Sequence, residues 1–349
     1  MRRGLVSIWA AFVIGAAPAL SANSAAPAPA APAAVPVTPD NFPRAETDLH
    51  FSGLVKEAGL GKFRHQRAPA ALDKQRAARI DRDTLTSDAV FDLAAGPVTI
   101  TLPDAGKRFL SMQVIDEDGY TPEVVYGAGS HTLAKDQIGA RYVQASIRIF
   151  VDADDPKDID AVKALQDAVR VDQPGGPGAF QPPNWDASTQ AEVRTGLVVL
   201  ALTLPDAKGM FGARGKVDPV RRLIGSATAW GGLPEEDGLF LDVTPDRNDG
   251  RTVYRLDLND VPIDGFWSIS VYNERGFFEP NPSHAYTVNS VTAKAEPDGS
   301  TVVRFGGCDG KIANCLPTPP GWNYLVRLYR PRAEILSGAW TFPEPTAAP

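Results

Sequence analysis

Apolar and polar positions alternate with period two over two separate stretches of the chain, and helical spacing interrupts them. Val98-Thr99-Ile100-Thr101-Leu102 is β-branched and ends at Pro103-Asp104-Ala105-Gly106, a turn. Arg108 to Asp116 then alternates, setting Phe109, Ser111, Gln113 and Ile115 opposite Leu110, Met112 and Val114. Two strands joined by a turn are expected here, and a third over 141–151. Beyond residue 238, strands are expected at 252–258, 266–272, 286–294, 301–305 and 324–329. Asn248-Asp249-Gly250 and Pro297-Asp298-Gly299 read as hairpin-type turns between them.

Helical signals fall before and between these stretches. Residues 39–62 read as partly helical, with Asp40 ahead of Phe42-Pro43. Asp155-Pro156 opens a helix with an N-cap acid and a first-turn proline, and Ile159, Val162, Leu165 and Val169 follow at helical spacing. Residues 191–204 predict a second, more buried helix, and Asp218-Pro219 starts a third that runs to about residue 229. Strands come in adjacent pairs and do not alternate one-for-one with helices. That order predicts a mainly β chain of antiparallel sandwiches with a helical segment between them, not a doubly wound parallel sheet.

Composition adds an address. The chain has 349 residues, 31 glycines, 31 prolines and a formal charge of −7; it carries no basic stripe, so nucleic acid is not an expected partner. Arg2 and Arg3 precede an uncharged apolar run from Leu5 to Leu20, followed by small residues. This three-part layout predicts a signal peptide at 1–22, cleaved somewhere over 20–26, and a bacterial protein in the periplasm or secreted. Residues 23–38, almost wholly Ala, Pro and Val, read as a stiff linker. No later run approaches membrane length, and the nine residues from Gly196 to Leu204 read as a buried helix segment. An integral membrane protein is not expected after cleavage.

Cys308 and Cys315 are the only cysteines. In an oxidising compartment so close a pair becomes a disulfide, one that trims a loop without holding the fold. The four histidines, His50, His65, His131 and His284, lack short metal-ligand spacing. No Gly-x-Ser-x-Gly elbow, phosphate loop or dinucleotide fingerprint occurs. No metal and no cofactor is expected, and no catalytic residue is assigned.

Arg79-Ile80-Asp81-Arg82-Asp83-Thr84-Leu85-Thr86-Ser87, with Gly96-Pro97-Val98 and Leu102-Pro103-Asp104, resembles the N-terminal signature of bacterial exported proteins built from paired domains of unknown function, numbers 1254 and 1214. Gly265-Phe266-Trp267-Ser268-Ile269-Ser270-Val271-Tyr272-Asn273 and Val326-Arg327-Leu328-Tyr329-Arg330-Pro331 resemble the 1214-type signature. The family motif usually has Asn at the position of Asp81 and Tyr at that of Thr86. The resemblance implies an immunoglobulin-like sandwich over 39–172, a helical connecting segment over 173–237, and a jelly-roll-like sandwich over 238–345.

Five residues are candidate ligand contacts: Asp81, Arg82, Asp83, Tyr272 and Arg327. In Asp81-Arg82-Asp83, either Arg82 binds an anionic group beside Asp83, or an Arg–carboxylate pair pins the loop to the sheet. Tyr272 shares a strand face with Ser268 and Ser270 and is placed to line a cleft. Arg327 is either a paired interior charge or a ligand contact. Trp267, on the other face with Ile269 and Val271, is expected in the core. The leading reading is an exported envelope protein that acts as a ligand-binding β-sandwich module for a small molecule or envelope component. The alternative is a periplasmic hydrolase of the carboxylic-ester type with a site assembled between the two domains.

Overall fold

Asp155 and Asp218 cap the helices that follow them: the first accepts from the Lys157 amide, the second from the amides of Val220 and Arg221. The computed structural model describes residues 33–75 and 77–348. The signal peptide expected at 1–22 and most of the Ala/Pro linker lie outside the described residues. Within the linker's end, Val35 bridges to Trp185 and Val37 is buried.

The first part of the chain runs α1 (Phe42–Ala58), β1 (Arg64–His65), β2 (Thr84–Asp92), β3 (Val98–Leu102), β4 (Leu110–Asp116), β5 (Glu123–Tyr126), β6 (Gly129–Leu133), α2 (Lys135–Ile138), β7 (Tyr142–Phe150), α3 (Pro156–Ala168) and β8 (Arg170–Asp172). Then come α4 (Ala187–Ala201) and α5 (Pro219–Thr228). The last part holds β9 (Gly238–Val243), β10 (Tyr254–Leu258), β11 (Trp267–Tyr272), β12 (Thr287–Asn289), β13 (Thr301–Phe305), β14 (Cys315–Leu316), β15 (Asn323–Tyr329), α6 (Ala333–Leu336) and β16 (Thr346–Ala347). Strand makes up 27% and helix 21%, in several antiparallel sheets.

Two sandwiches result. In the first, the sheet β1-β2-β7-β4-β5 faces the sheet β6-β3-β8 across a core of Leu85, Met112, Val114 and Ile147 against Val98, Ile100 and Leu133. In the second, β12-β11-β15-β9 faces β14-β13-β10-β16 across Trp267, Ile269, Val326, Leu256, Phe305 and Trp322. Trp267 therefore lies in the core, as its parity required. Among the described residues no helix is long and apolar enough to cross a membrane.

The turns are real, but they do not make hairpins. β3 pairs with β6 and β8 while β4 pairs with β5 and β7, so Pro103-Asp104-Ala105-Gly106 carries the chain from one sheet of the sandwich to the other. The same holds for Asn248-Asp249-Gly250, between β9 and β10, and for Pro297-Asp298-Gly299, between β12 and β13. A further correction concerns α4. Its C-terminal turns are largely exposed, with Val199 at 60% and the following Leu202 at 84%, whereas Leu197 is buried. The run that reads as a buried helix segment has only one side covered, by α1 and α5.

α1 and the second sandwich divide the outer face of the five-stranded sheet. At one end Phe51 and Leu54 of α1 meet Val90 and Tyr142. At the other, Phe150 joins Leu233, Phe266 and Tyr329, with Phe109 against them. Trp230-Gly231-Gly232 belongs to the α1 side: Trp230 stacks on His50 at 4.1 Å. A Cβ on Gly232 would stand 2.4 Å from the Phe211 ring, so a glycine is required there.

Candidate functional site

β11, β12 and β15 turn one polar face outward from the second core. Strand register aligns Ser270 with Thr287 and Leu325, and Ser268 with Asn289 and Arg327. This face is not open to solvent. Residues 72–75 and 77–83 lie across it as a strap, and Leu72 and Ile80 pack against Tyr272, Phe278, Tyr286 and Leu325. Arg79 takes a left-handed backbone, φ 56°, a conformation that costs energy in a non-glycine residue and persists only where neighbours enforce it. Its amide donates to the Gly276 carbonyl at 2.7 Å, and its guanidinium reaches Asn323 and Asp242, each at 2.8 Å.

Arg327, Tyr272, Asp81 and Asp83 gather about the strap, arranged differently from either reading of the motif, and Arg82 stands apart from them. Arg327 is 4% exposed. It donates to Ser270 Oγ at 2.9 Å, to the carbonyls of Arg79 at 2.9 Å and Ile80 at 3.3 Å, and to the Tyr272 hydroxyl at 2.8 Å. Burial opposes its charge, but Tyr272 and Asp81 nearby hold it above its ordinary value. Asp81 accepts from the Tyr329 hydroxyl at 3.0 Å, from Thr84 Oγ1 at 2.7 Å and from the Asp83 amide at 2.8 Å. Arg82 makes no pair with the carboxylates beside it. Its guanidinium donates to the Ala70 carbonyl at 2.6 Å and stands 5.6 Å from the Tyr286 ring centre.

Asp83, 1% exposed, reaches out of the first sandwich into the second. Its oxygens accept from Thr287 Oγ1 at 2.8 Å and Asn289 Nδ2 at 2.9 Å. Both donors are neutral. Burial, and then the charge of Asp81, push its carboxyl up to about 6. Tyr272 and Tyr329 stay protonated, since burial raises both. Tyr272 thus occupies the polar face its parity gave it, yet it lines no cleft because the strap covers it. Thr287 and Asn289 are the residues that sequence reasoning missed. Their signal was the same period-two rule, with Val288 between them in the second core.

Beside this junction an open cleft of about 740 Å³ is lined by Asp154 from the first sandwich and by His284, Thr287, Thr292, Asp309 and Asn314 from the second. Its wall includes the Cys308–Cys315 disulfide. His284 and Asn314 both have left-handed backbones, φ 51° and 50°. Among the described residues no cluster of His, Cys, Asp and Glu is placed to hold a metal ion. A serine–histidine pair does form elsewhere, His65 Nδ1 to Ser87 Oγ at 2.8 Å, but Ser87 is only 1% exposed.

Residues 60–137 match the model of a protein family of unknown function, DUF1254, and residues 239–333 match another, DUF1214. The two matches fall along the chain in the order DUF1254, then DUF1214. Asp81, Arg82 and Asp83 lie in the DUF1254 match; Tyr272, Thr287, Asn289, Arg327 and both cysteines lie in the DUF1214 match. The buried network is therefore made by one domain upon the other. The fold is similar to that of the VPA0106 protein from Vibrio parahaemolyticus, at 17% identity over 89% of this chain and 98% of that one, with a TM-score of 0.67. An uncharacterized protein from Burkholderia cenocepacia shares 12% identity over 83% of each chain, with a TM-score of 0.46. No curated protein matches the chain.

Proposed function

We propose that this is an exported ligand-binding protein of the bacterial envelope, and that the cleft between the two sandwiches takes a small, hydroxyl-rich ligand. The observation that carries this reading is the cleft's lining. It brings residues bearing two carboxylates, an imidazole and two threonine hydroxyls around one open volume at the domain junction. Convergent polar groups in a concave junction are what a ligand site requires, and carboxylate acceptors beside hydroxyls that both donate and accept suit a ligand's hydroxyl groups. Left-handed backbone at His284, on the cleft's wall, supports it, since such strain gathers at functional sites.

The hydrolase reading has less support. The Ser87–His65 pair would need an exposed serine to attack an ester, and Ser87 is buried.

Titration of the purified chain with neutral mono- and oligosaccharides, followed by NMR, tests the binding reading. Shifts confined to His284, Thr287, Thr292 and Asn314 are expected. Ester turnover that survives purification and vanishes on a single substitution would replace it with the hydrolase.

A further inference from the structure

The hydrogen bonds around Asp83 leave one place for a proton. Asn289 cannot turn its amide round, because its Oδ1 already accepts from the amides of Val291 at 3.0 Å and Thr292 at 2.9 Å and from Thr292 Oγ1 at 3.1 Å. Its Nδ2 must therefore donate, and Asp83 Oδ1 must accept. A proton on Asp83 has to sit on Oδ2, facing Thr287 Oγ1 at 2.8 Å. Thr287 is half-buried, with one side on Asp83 and the other on the cleft.

We propose that Asp83 decides the hydrogen-bonding sense of Thr287 toward the cleft. With Asp83 ionised, Thr287 spends its hydrogen on Oδ2 and shows the cleft lone pairs, which receive a ligand O–H or N–H. With Asp83 neutral, the carboxyl donates to Thr287, whose hydrogen turns to the cleft and meets a ligand carbonyl or carboxylate. This deepens the ligand-binding reading and rests on it. The residue that sets specificity is sealed from the ligand and acts through a threonine.

Other charges bear on Asp83 from every side. Asp81, on its own segment, favours the neutral form; Arg327 of β15 favours the ionised form. Tyr272 of β11 and Tyr329 of β15 are neutral donors to the strap and to Asp81. Asp154 and His284 line the cleft, and burial raises Asp154 although Arg82 and His284 both work against it. Burial and Asp81 together set the balance near neutrality, so both senses of Thr287 fall within an ordinary pH range.

The test uses the full chain with carbon-13 in aspartate carboxyls and threonine methyls, titrated from pH 4.5 to 8. One carboxyl, identified by its loss in Asp83→Asn, should titrate near 6, and the Thr287 methyl should move with the same midpoint. In Asp83→Asn that methyl should stay flat. Thr287→Val should raise the Asp83 midpoint, because the ionised form loses a donor; this variant carries the test if Asp83→Asn does not fold. A flat Thr287 methyl in the wild type, a response that survives in Asp83→Asn, or an Asp83 midpoint unmoved by Thr287→Val overturns the proposal. Glucose and N-acetylglucosamine added to the same samples judge the ligand reading separately: if neither shifts His284, Thr287 or Asn314, that reading fails by itself.

Discussion

Arg327 donates to the Tyr272 hydroxyl at 2.8 Å, and that hydroxyl donates onward to the Ile80 carbonyl at 2.9 Å. The guanidinium thus holds the strap twice, directly through the Arg79 and Ile80 carbonyls and once more through the tyrosine. Among the described residues no carboxylate caps it at ion-pair distance. A buried charge of this kind stabilises only while every one of its donors is used.

Arg327→Met should therefore cost about 3–5 kcal/mol, since it leaves the Arg79 carbonyl and the Ser270 hydroxyl without that donor, takes one of two donors from the Ile80 carbonyl, and removes the cation near Asp81 and Asp83. Tyr272→Phe, which loses one link, should cost about 1–2 kcal/mol. Urea unfolding followed by tryptophan fluorescence measures both. A loss below about 1 kcal/mol for Arg327→Met would show that packing alone holds the strap.

Asp83 gives stability a pH dependence of defined sign. Its carboxyl is pushed up to about 6 in the folded chain from an ordinary 3.8. Between those values the folded state holds the extra proton, so Asp83's contribution is complete below the lower value and lost as pH rises through the upper one. Asp83→Asn has nothing to titrate. The stability of wild type minus variant should fall by about 1–3 kcal/mol from pH 4 to 7.5. Asp48 and Asp116, also raised to about 6, are common to both proteins and cancel in the difference. Paired melts across that range check it; a difference independent of pH would refute it.

Asp81→Asn should lower the Asp83 midpoint, because Asp81 is the charge that raises it after burial itself. The carboxyl titration used for Thr287 reads this directly.

The Cys308–Cys315 bridge spans seven positions, a short loop whose closure is worth about 2–3 kcal/mol. The double Cys→Ser variant should fold and be less stable by that amount. Calorimetry with and without reductant measures the loss.

On α4, Leu202→Ser should change stability by less than about 0.5 kcal/mol, whereas Leu197→Ser should cost about 2–4 kcal/mol. The contrast follows from exposure: Leu202 is 84% exposed and Leu197 only 5%. Equal costs would mean that the end of α4 is covered in solution.

Signals confined to a few neighbouring residues were legible in the sequence. Asp155-Pro156 and Asp218-Pro219 start helices because cap and proline act within one turn. Parity put Trp267 inside and Tyr272 on the opposite face because a strand's pleat has period two. Pairing was not legible in the same way. Asn248-Asp249-Gly250 turns the chain whether the next strand returns to the same sheet or crosses to the other, and here it crosses. The candidate site shows the same limit. Asp81, Asp83, Tyr272 and Arg327 are polar residues in telling places, but their partners across the junction stand some two hundred positions away. Thr287 and Asn289 carry no local mark of having met Asp83.

The strap has a consequence for how such a chain is inherited. Its residues Arg79 to Asp83 are covalently part of one half, yet they form the lining under the sheet of the other. A recombination event that parted the halves would leave a buried guanidinium with no carbonyls to hold and a carboxyl with no threonine or asparagine to meet. A new partner for the second half would have to bring the same five residues in the same left-handed bend to meet these groups.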